Sequence, residues 1–297
     1  MAEPRLSVCL TFDFDAMSLW IGSFKTRSLP AISRGEFGGH VMPRILELLA
    51  RQDVTATFFV PGHTALAFPG AVRAIANAGH EIGHHGWVHE DPAELDVDAE
   101  REVLEKGLDA LERVAGVVPR GYRSPGCTFS EQTSDLLREF GFLYDSSCSA
   151  SDFMPYYLRT GDRFSLTEPY AFGEPTDLVE LPFSWSLDDF PLFEFCPGFS
   201  TAQATPARVR ELWQGEFDFA YDHVAGGVFD LCMHPQVIGR GPRLHMLEGL
   251  IEYMKAKPGV TFETMLAHAE RWKAANPIDR WVAQNPERAG TRSVDAL

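Results

Sequence analysis

Along the chain, short apolar or β-branched runs alternate with longer stretches in which apolar residues recur every three or four positions. Strands repeat their buried face every two residues and helices every 3.6, so this alternation predicts a parallel sheet with helical crossovers. The strand-like runs are Leu6 to Phe14 (LSVCLTFDF), Val54 to Val60 (VTATFFV), His80 to His85 (HEIGHH), Leu178 to Phe183 (LVELPF) and Val228 to His234 (VFDLCMH). The clearest helix lies in DAEREVLEKGLDALERVAG, where Leu104, Leu108, Leu111 and Ala115 share a face; Asp98 is placed to cap its start and Gly116 to end it. Further helical patterns run over roughly 41–51, 71–78, 131–140, 206–220, 243–255 and 263–275.

Two long stretches, 17–39 and 146–177, break the alternation. Loops of that length usually act as lids, binding walls or subunit contacts, so both are expected to wall a pocket. The polar end, 276–297, reads as a tail or a docking arm on another subunit. With no repeat, low-complexity block or linker, residues 1–275 read as one domain.

Composition narrows the partners. Of 297 residues 45% are hydrophobic, enough for a sizeable core, and the net charge of −16 argues against nucleic acid, whose affinity comes mostly from Lys and Arg. No secretory leader opens the chain and no apolar run approaches the ~18 residues of a membrane span. The five cysteines are odd in number and scattered, with no CxxC pair. The expectation is a cytoplasmic chain with reduced thiols, no membrane and no nucleic-acid partner.

The candidate chemistry begins in TFDFD, where Asp13 and Asp15 are two apart at a strand end. Period-two alternation puts both carboxylates on one face. In a parallel barrel that end is the C-terminal mouth, where active sites sit. GHEIGHHGWVHE, Gly79 to Glu90, then crowds four of the ten histidines into a second strand end. It holds two i, i+4 pairs, His80 with His84 and His85 with His89, and spacing alone does not choose between them. His85 and His89 lie further toward the mouth and Asp15, which leaves packed imidazoles as the simpler reading of His80 and His84. A carboxylate and two imidazoles with one position open make a catalytic zinc set. Three more segments fall at plausible strand ends: GYRSPG (121–126), LPFSWSLDDFP (181–191) and DLCMHPQVIGRGPR (230–243). The remaining histidines, and Arg240 with Arg243, read more simply as structural.

In this order the five segments resemble the polysaccharide deacetylases with the NodB homology domain, carbohydrate esterase family 4, over Leu6 to about Trp272. The resemblance implies an α/β fold, a distorted (β/α) barrel. It implies Asp13 as general base, Asp15, His85 and His89 as ligands of one divalent cation, most simply Zn2+, Arg123 as the brace of Asp13 and His234 as proton donor. Pro125, Gly126, Trp185, Asp188 and Asp189 fall at substrate-binding or orienting positions. Three departures stand out: Phe14 separates the two aspartates, as in peptidoglycan-deacetylase-like and allantoinase-like relatives, Gly86 stands where a Ser or Thr is usual, and Gly126 stands where Tyr is usual. The implied reaction is hydrolysis of a non-peptide C–N bond, most simply N-deacetylation of a polysaccharide or peptidoglycan-type glycan, by a homo-oligomer (dimer or tetramer). The alternatives are a hydrolase of a small cyclic amide, imide or ureide, with or without metal, and a non-catalytic glycan-binding module.

Overall fold

The computed structural model describes residues 4–198, 200–201 and 203–288. It opens with β1 (Leu6–Asp13), α1 (Ser18–Gly22), α2 (Leu29–Arg51), β2 (Thr57–Val60), α3 (Gly62–Ala67), α4 (Pro69–Asn77) and β3 (Glu81–His84). Helix α5 (Val97–Ala115), β4 (Gly121–Tyr122), α6 (Thr133–Glu139), β5 (Tyr144–Asp145), β6 (Tyr156–Thr160), β7 (Glu174–Glu180) and α7 (Asp189–Phe193) follow. The chain ends with α8 (Pro206–His223), β8 (Gly227–Met233), α9 (Pro235–Ile238), α10 (Gly241–Lys255), β9 (Val260–Phe262), α11 (Met265–Ala275) and α12 (Ile278–Gln284).

These strands form one curled sheet in the order β6-β7-β5-β4-β3-β2-β1-β8, with β9 also on β1. Every named pairing is parallel except β6 with β7. The α/β class is as the alternation requires. The barrel, however, is open: the ladders end at β6 and β8, and the gap is crossed by a parallel bridge between Asp188 and Cys232 and a bond from the Val228 N–H to the Phe153 carbonyl. Period two sorts the residues of β1. Leu6, Val8, Leu10 and Phe12 pack outward in the main cluster with α2 and α10, whereas Cys9 joins a second cluster with Phe59, Tyr122 and Tyr144. Thr11 and Asp13 fall on that second, concave side. Register then levels the strand ends: Asp13 lies beside Phe59, Phe12 beside Met233, Val60 beside His84, and His84 beside Tyr122. The residues just beyond, Asp15, His85, Arg123 and His234, therefore emerge at one mouth.

Four expectations need correction. Residues 17–39 are mostly helical, because α2 begins at Leu29. Gly35, Gly38 and Gly39 look like helix breakers, yet they let α2 lie directly on its neighbours: a Cβ at Gly35 would sit 2.1 Å from the Ala16 carbonyl oxygen, and one at Gly38 3.1 Å from Gln236. Residues 146–177 contain β6 and the start of β7, an antiparallel pair, leaving a shorter loop at 161–173. That segment flanks a separate surface cleft with Tyr156, Phe164 and Tyr170 and forms no wall of the mouth. The cap of α5 is Asp96, whose carboxylate accepts from the Ala99 N–H at 2.9 Å; Asp98 lies inside the first turn, too late to reach back. Gly116, at φ +68°, ends the helix. Finally, the C-terminal stretch begins with α12, whose Trp281 packs on Tyr157 and Trp272 of its own chain. Residues 289–297 of that stretch lie outside the described residues.

Among the described residues no helix is long and apolar enough to cross a membrane. The tightness of the α2 contact is testable: Gly35→Ala should lower unfolding free energy by about 1–3 kcal/mol through overpacking, read from the denaturation midpoint at unchanged m-value.

Candidate active site

Strand β1 delivers Asp13 on its concave side, and the chain leaves the strand so that Asp15, two residues on, is wholly buried beneath the mouth. Beyond β3 a tight turn carries His85 and His89. It is built on two left-handed residues, Gly86 at φ +72° and His89 at φ +63°, and the Glu90 carboxylate accepts the Trp87 and Val88 N–H groups inside it. Asp15, His85 and His89 each offer a ligand atom within 4.8 Å of the other two. His85 Nε2 lies 3.3 Å and His89 Nε2 3.8 Å from Asp15 Oδ1.

The other histidine pair goes elsewhere. His84 points away from the mouth, its Nε2 donating to the Leu104 carbonyl at 3.2 Å and its Nδ1 accepting from Gly86 N–H. Burial pushes its imidazole down to about 3, so it is a neutral core group. His80 accepts from Ala56 N–H.

A cation fits the first set on an independent observation. Both Asp15 carboxylate oxygens and His85 Nε2 are buried without any hydrogen-bond partner, a condition that costs roughly 1–3 kcal/mol per group. The His85 Nδ1–H donates to the Arg123 carbonyl at 2.6 Å, which leaves Nε2 as the atom with a lone pair. Burial would raise the Asp15 carboxyl, but His89, His85 and His234 around it outweigh that and hold it at about 2. It is a carboxylate at any ordinary pH.

Asp13 is held from below. Arg123, with no solvent exposure, donates from Nη1 to Asp13 Oδ1 at 3.0 Å and from Nη2 to Asp230 Oδ2 at 2.5 Å, while its Nε–H meets the Ser146 carbonyl. On the opposite side His234 Nδ1 lies 2.8 Å from Asp189 Oδ1, and its Nε2 lies 3.6 Å from Asp15 Oδ2. Burial opposes a charge on His234, yet Asp188, the hydrogen bond to Asp189 and the nearby Asp15 together raise it well above the ordinary imidazole value. Burial pushes both neighbouring carboxyls up, Asp188 to about 7, and Asp189 is the one in direct hydrogen-bond contact with His234.

Comparison with known proteins decides the family. The model for polysaccharide deacetylases matches residues 3–144. A Helicobacter pylori protein named peptidoglycan deacetylase is 36% identical over 93% of this chain and 99% of its own length. The chain belongs to the polysaccharide deacetylase family. A Gibberella zeae peptidoglycan deacetylase-like protein is 30% identical over 89% of this chain and 85% of its own. A crystal structure of a Mycobacterium smegmatis protein assigned to the polysaccharide deacetylases superposes with a TM-score of 0.82 at 40% identity, covering 92% of each chain. The PuuE allantoinase superposes at 0.77 with 23% identity over 92% of each, a likeness of fold alone.

In this family member the residues expected at the substrate side divide. Gly126 (φ +63°), Trp185 and Asp188 line a cavity of about 130 Å3 at the mouth, with Trp185 45% exposed at its rim. Pro125 and Asp189 do not line it. The Pro125 ring packs behind Gly86, and Asp189 is spent on His234. Arg240 stacks on Phe37 and Arg243 on Phe193, both away from the cavity. Leu19, Ser23 and Phe24, from the stretch expected to be a wall, line it together with Phe190. Asp230 escaped the sequence reading although a signal existed: it lies two and four residues before Cys232 and His234, on the same strand face.

Replacing Arg123 by Met would leave Asp13 and Asp230 as buried charges without their partner. Stability at neutral pH should fall by about 3–5 kcal/mol. Burial already holds Asp230 up at about 6 with Arg123 present, and without it the carboxyl rises further. A folded-state pKa above the unfolded value penalises the fold at high pH, so the deficit should shrink as denaturation is repeated toward pH 5.

Proposed function

We propose that the protein is a metal-dependent hydrolase of non-peptide C–N bonds that removes an N-acyl group from a sugar of the polysaccharide or peptidoglycan type. The observation that carries this reading is the convergence of buried ligand atoms without hydrogen-bond partners between a carboxylate braced by Arg123 and an imidazole braced by Asp189. The activities named for the Helicobacter and Gibberella relatives support the substrate class. We assign the cation to Asp15, His85 and His89. When bound there, a divalent ion supplies Lewis acidity toward water and an amide oxygen, and two imidazoles with one carboxylate suit Zn2+.

The residues divide the proton work. Asp13, with Oδ1 anchored by Arg123, keeps Oδ2 toward His85 Nε2 at 3.9 Å, facing the cation ligands. It takes the proton from the attacking water. His234, charged against Asp189, presents Nε2 from the other side and gives its proton to the departing nitrogen, which is too poor a leaving group as an anion. Gly126, in a left-handed turn without a side chain, leaves its backbone beside the cavity open to the acyl oxygen. Leu19, Phe24, Trp185 and Phe190 form an apolar wall suited to the acyl group. The small cavity favours a second reading, a compact cyclic amide as substrate.

All five cysteines are unpaired, which supports a reducing, cytoplasmic compartment. Exposed Phe164, Leu166 and Tyr170 on the 161–173 loop support a homo-oligomer.

Elemental analysis and turnover test the reading together. Wild-type protein should carry about one zinc per chain and release acetate from N-acetylglucosamine oligomers, whereas Asp15→Ala should lose the metal. Hydrolysis of cyclic amides alone would favour the second substrate class, and no zinc even after reconstitution would sink the metal reading. Asp13→Ala should keep the metal and lose about 100–10,000-fold in kcat. His234→Ala should lose a similar factor on amides and much less on matched esters, whose leaving group needs no acid.

A further inference from the structure

We propose that Ser23 is a positioning residue for His89: it fixes which imidazole nitrogen faces the cation and so ties metal affinity to the docking of residues 18–24 on the 85–90 turn. The inference rests on the reading of Asp15, His85 and His89 as a cation site.

Each ligand imidazole needs a partner on its far nitrogen to select one tautomer and hold the ring. His85 has the Arg123 carbonyl. The turn that carries His89 offers nothing equivalent, because Gly86 has no side chain and its φ of +72° disfavours any replacement. The partner comes from 66 residues earlier in the chain. Ser23 Oγ lies 2.7 Å from the His89 carbonyl oxygen and 2.6 Å from His89 Nδ1. A carbonyl only accepts, so the hydroxyl proton goes to it, and Oγ is left to accept from Nδ1–H. His89 Nε2 then keeps its lone pair on the side of Asp15.

Two further observations give this contact a purpose. His89 sits at φ +63°, a backbone conformation that a side-chain-bearing residue holds only when its surroundings impose it. The Ser23 hydroxyl grips both its carbonyl and its ring. The approach also depends on the residue before: a Cβ on Gly22 would lie 1.9 Å from the Val88 oxygen and 2.9 Å from the His89 carbonyl carbon. Gly22 admits α1 onto the turn, and Ser23 uses the contact. The same segment supplies Leu19 and Phe24 to the cavity wall. Wall and ligand therefore move as one unit, and lifting the wall withdraws the hydroxyl from His89.

The test compares wild type, Ser23→Ala, Ser23→Thr and Gly22→Ala after chelator stripping. Zinc affinity is read by competition with a chromophoric chelator, and the His89 tautomer by 15N spectra of the metal-free protein. Ser23→Ala should bind zinc about 10–100-fold more weakly and show mixed tautomers at His89. Ser23→Thr should restore both, and Gly22→Ala should weaken binding in the same direction by displacing the whole segment. A Ser23→Ala protein that binds zinc within about twofold of wild type and keeps the Nδ1–H tautomer overturns the proposal while leaving the metal site standing. A wild type that takes up no zinc overturns the metal reading instead, and the tautomer comparison still decides the hydrogen bond.

Discussion

A fully buried guanidinium organises the concave face. Arg123 leaves the end of β4 and ties Asp13 of β1, Asp230 of β8 and the Ser146 carbonyl just past β5 to one planar fork. A buried cation is strongly unfavourable unless its donors are met by well-placed acceptors, so each acceptor is as necessary to the fold as to the site. The bond to Thr11 Oγ1 and the Phe59 ring under the guanidinium add contacts from β1 and β2. Because the sheet is open, its gap crossed among the described residues by the Asp188–Cys232 bridge and a bond from the Val228 N–H to the Phe153 carbonyl, this fork supplies cross-links that continuous ladders do not. The same fork aims one oxygen of Asp13 toward the ligand set, so stability and reactivity draw on one arrangement.

The two sides of the mouth solve opposite electrostatic problems. Asp13 is a buried acid, and Arg123, donating to its Oδ1, provides the compensating charge. His234 must carry a proton although it is buried, and Asp189, fixed by both the His234 backbone N–H and its Nδ1, provides the opposite charge. In the proposed mechanism base and acid are thus separated by their partners rather than by their own chemistry. The proposed cation ligands lie between them, Asp15 and His85 with atoms unpaired in hydrogen bonds, the arrangement expected where an ion completes the balance.

Much of this was legible because it rests on short-range rules. Period two put Asp13 and Asp15 on one face, and parallel alternation put the ends of β1, β3, β4 and β8 at one level. The openness of the barrel was not legible, since it depends on β6 reversing direction against β7, and strands as short as β4 and β5, two residues each, leave no periodicity to read. The start of α2 was hidden for a different reason. Its glycines are chosen for contact with Ala16 and Gln236, which are distant in sequence or follow a strand, so local propensity pointed the wrong way. Asp230 had a local signal, whereas Ser23 had none, because only the folded chain brings α1 onto the 85–90 turn.

That last contact explains why the departure at Gly86 is compatible with an intact ligand set. A turn with left-handed residues at 86 and 89 is sharp enough to present two imidazoles to Asp15, but a side chain at 86 would strain it and meet the Pro125 ring at 2.9 Å. The turn gains its shape by giving up a hydroxyl of its own. The hydroxyl then has to come from outside, and the element that can bring it is the one whose Gly22 permits backbone contact. A glycine in the turn, a glycine in the wall and a serine beside it form one solution to a single geometric demand, and the demand is set by where His89 must point.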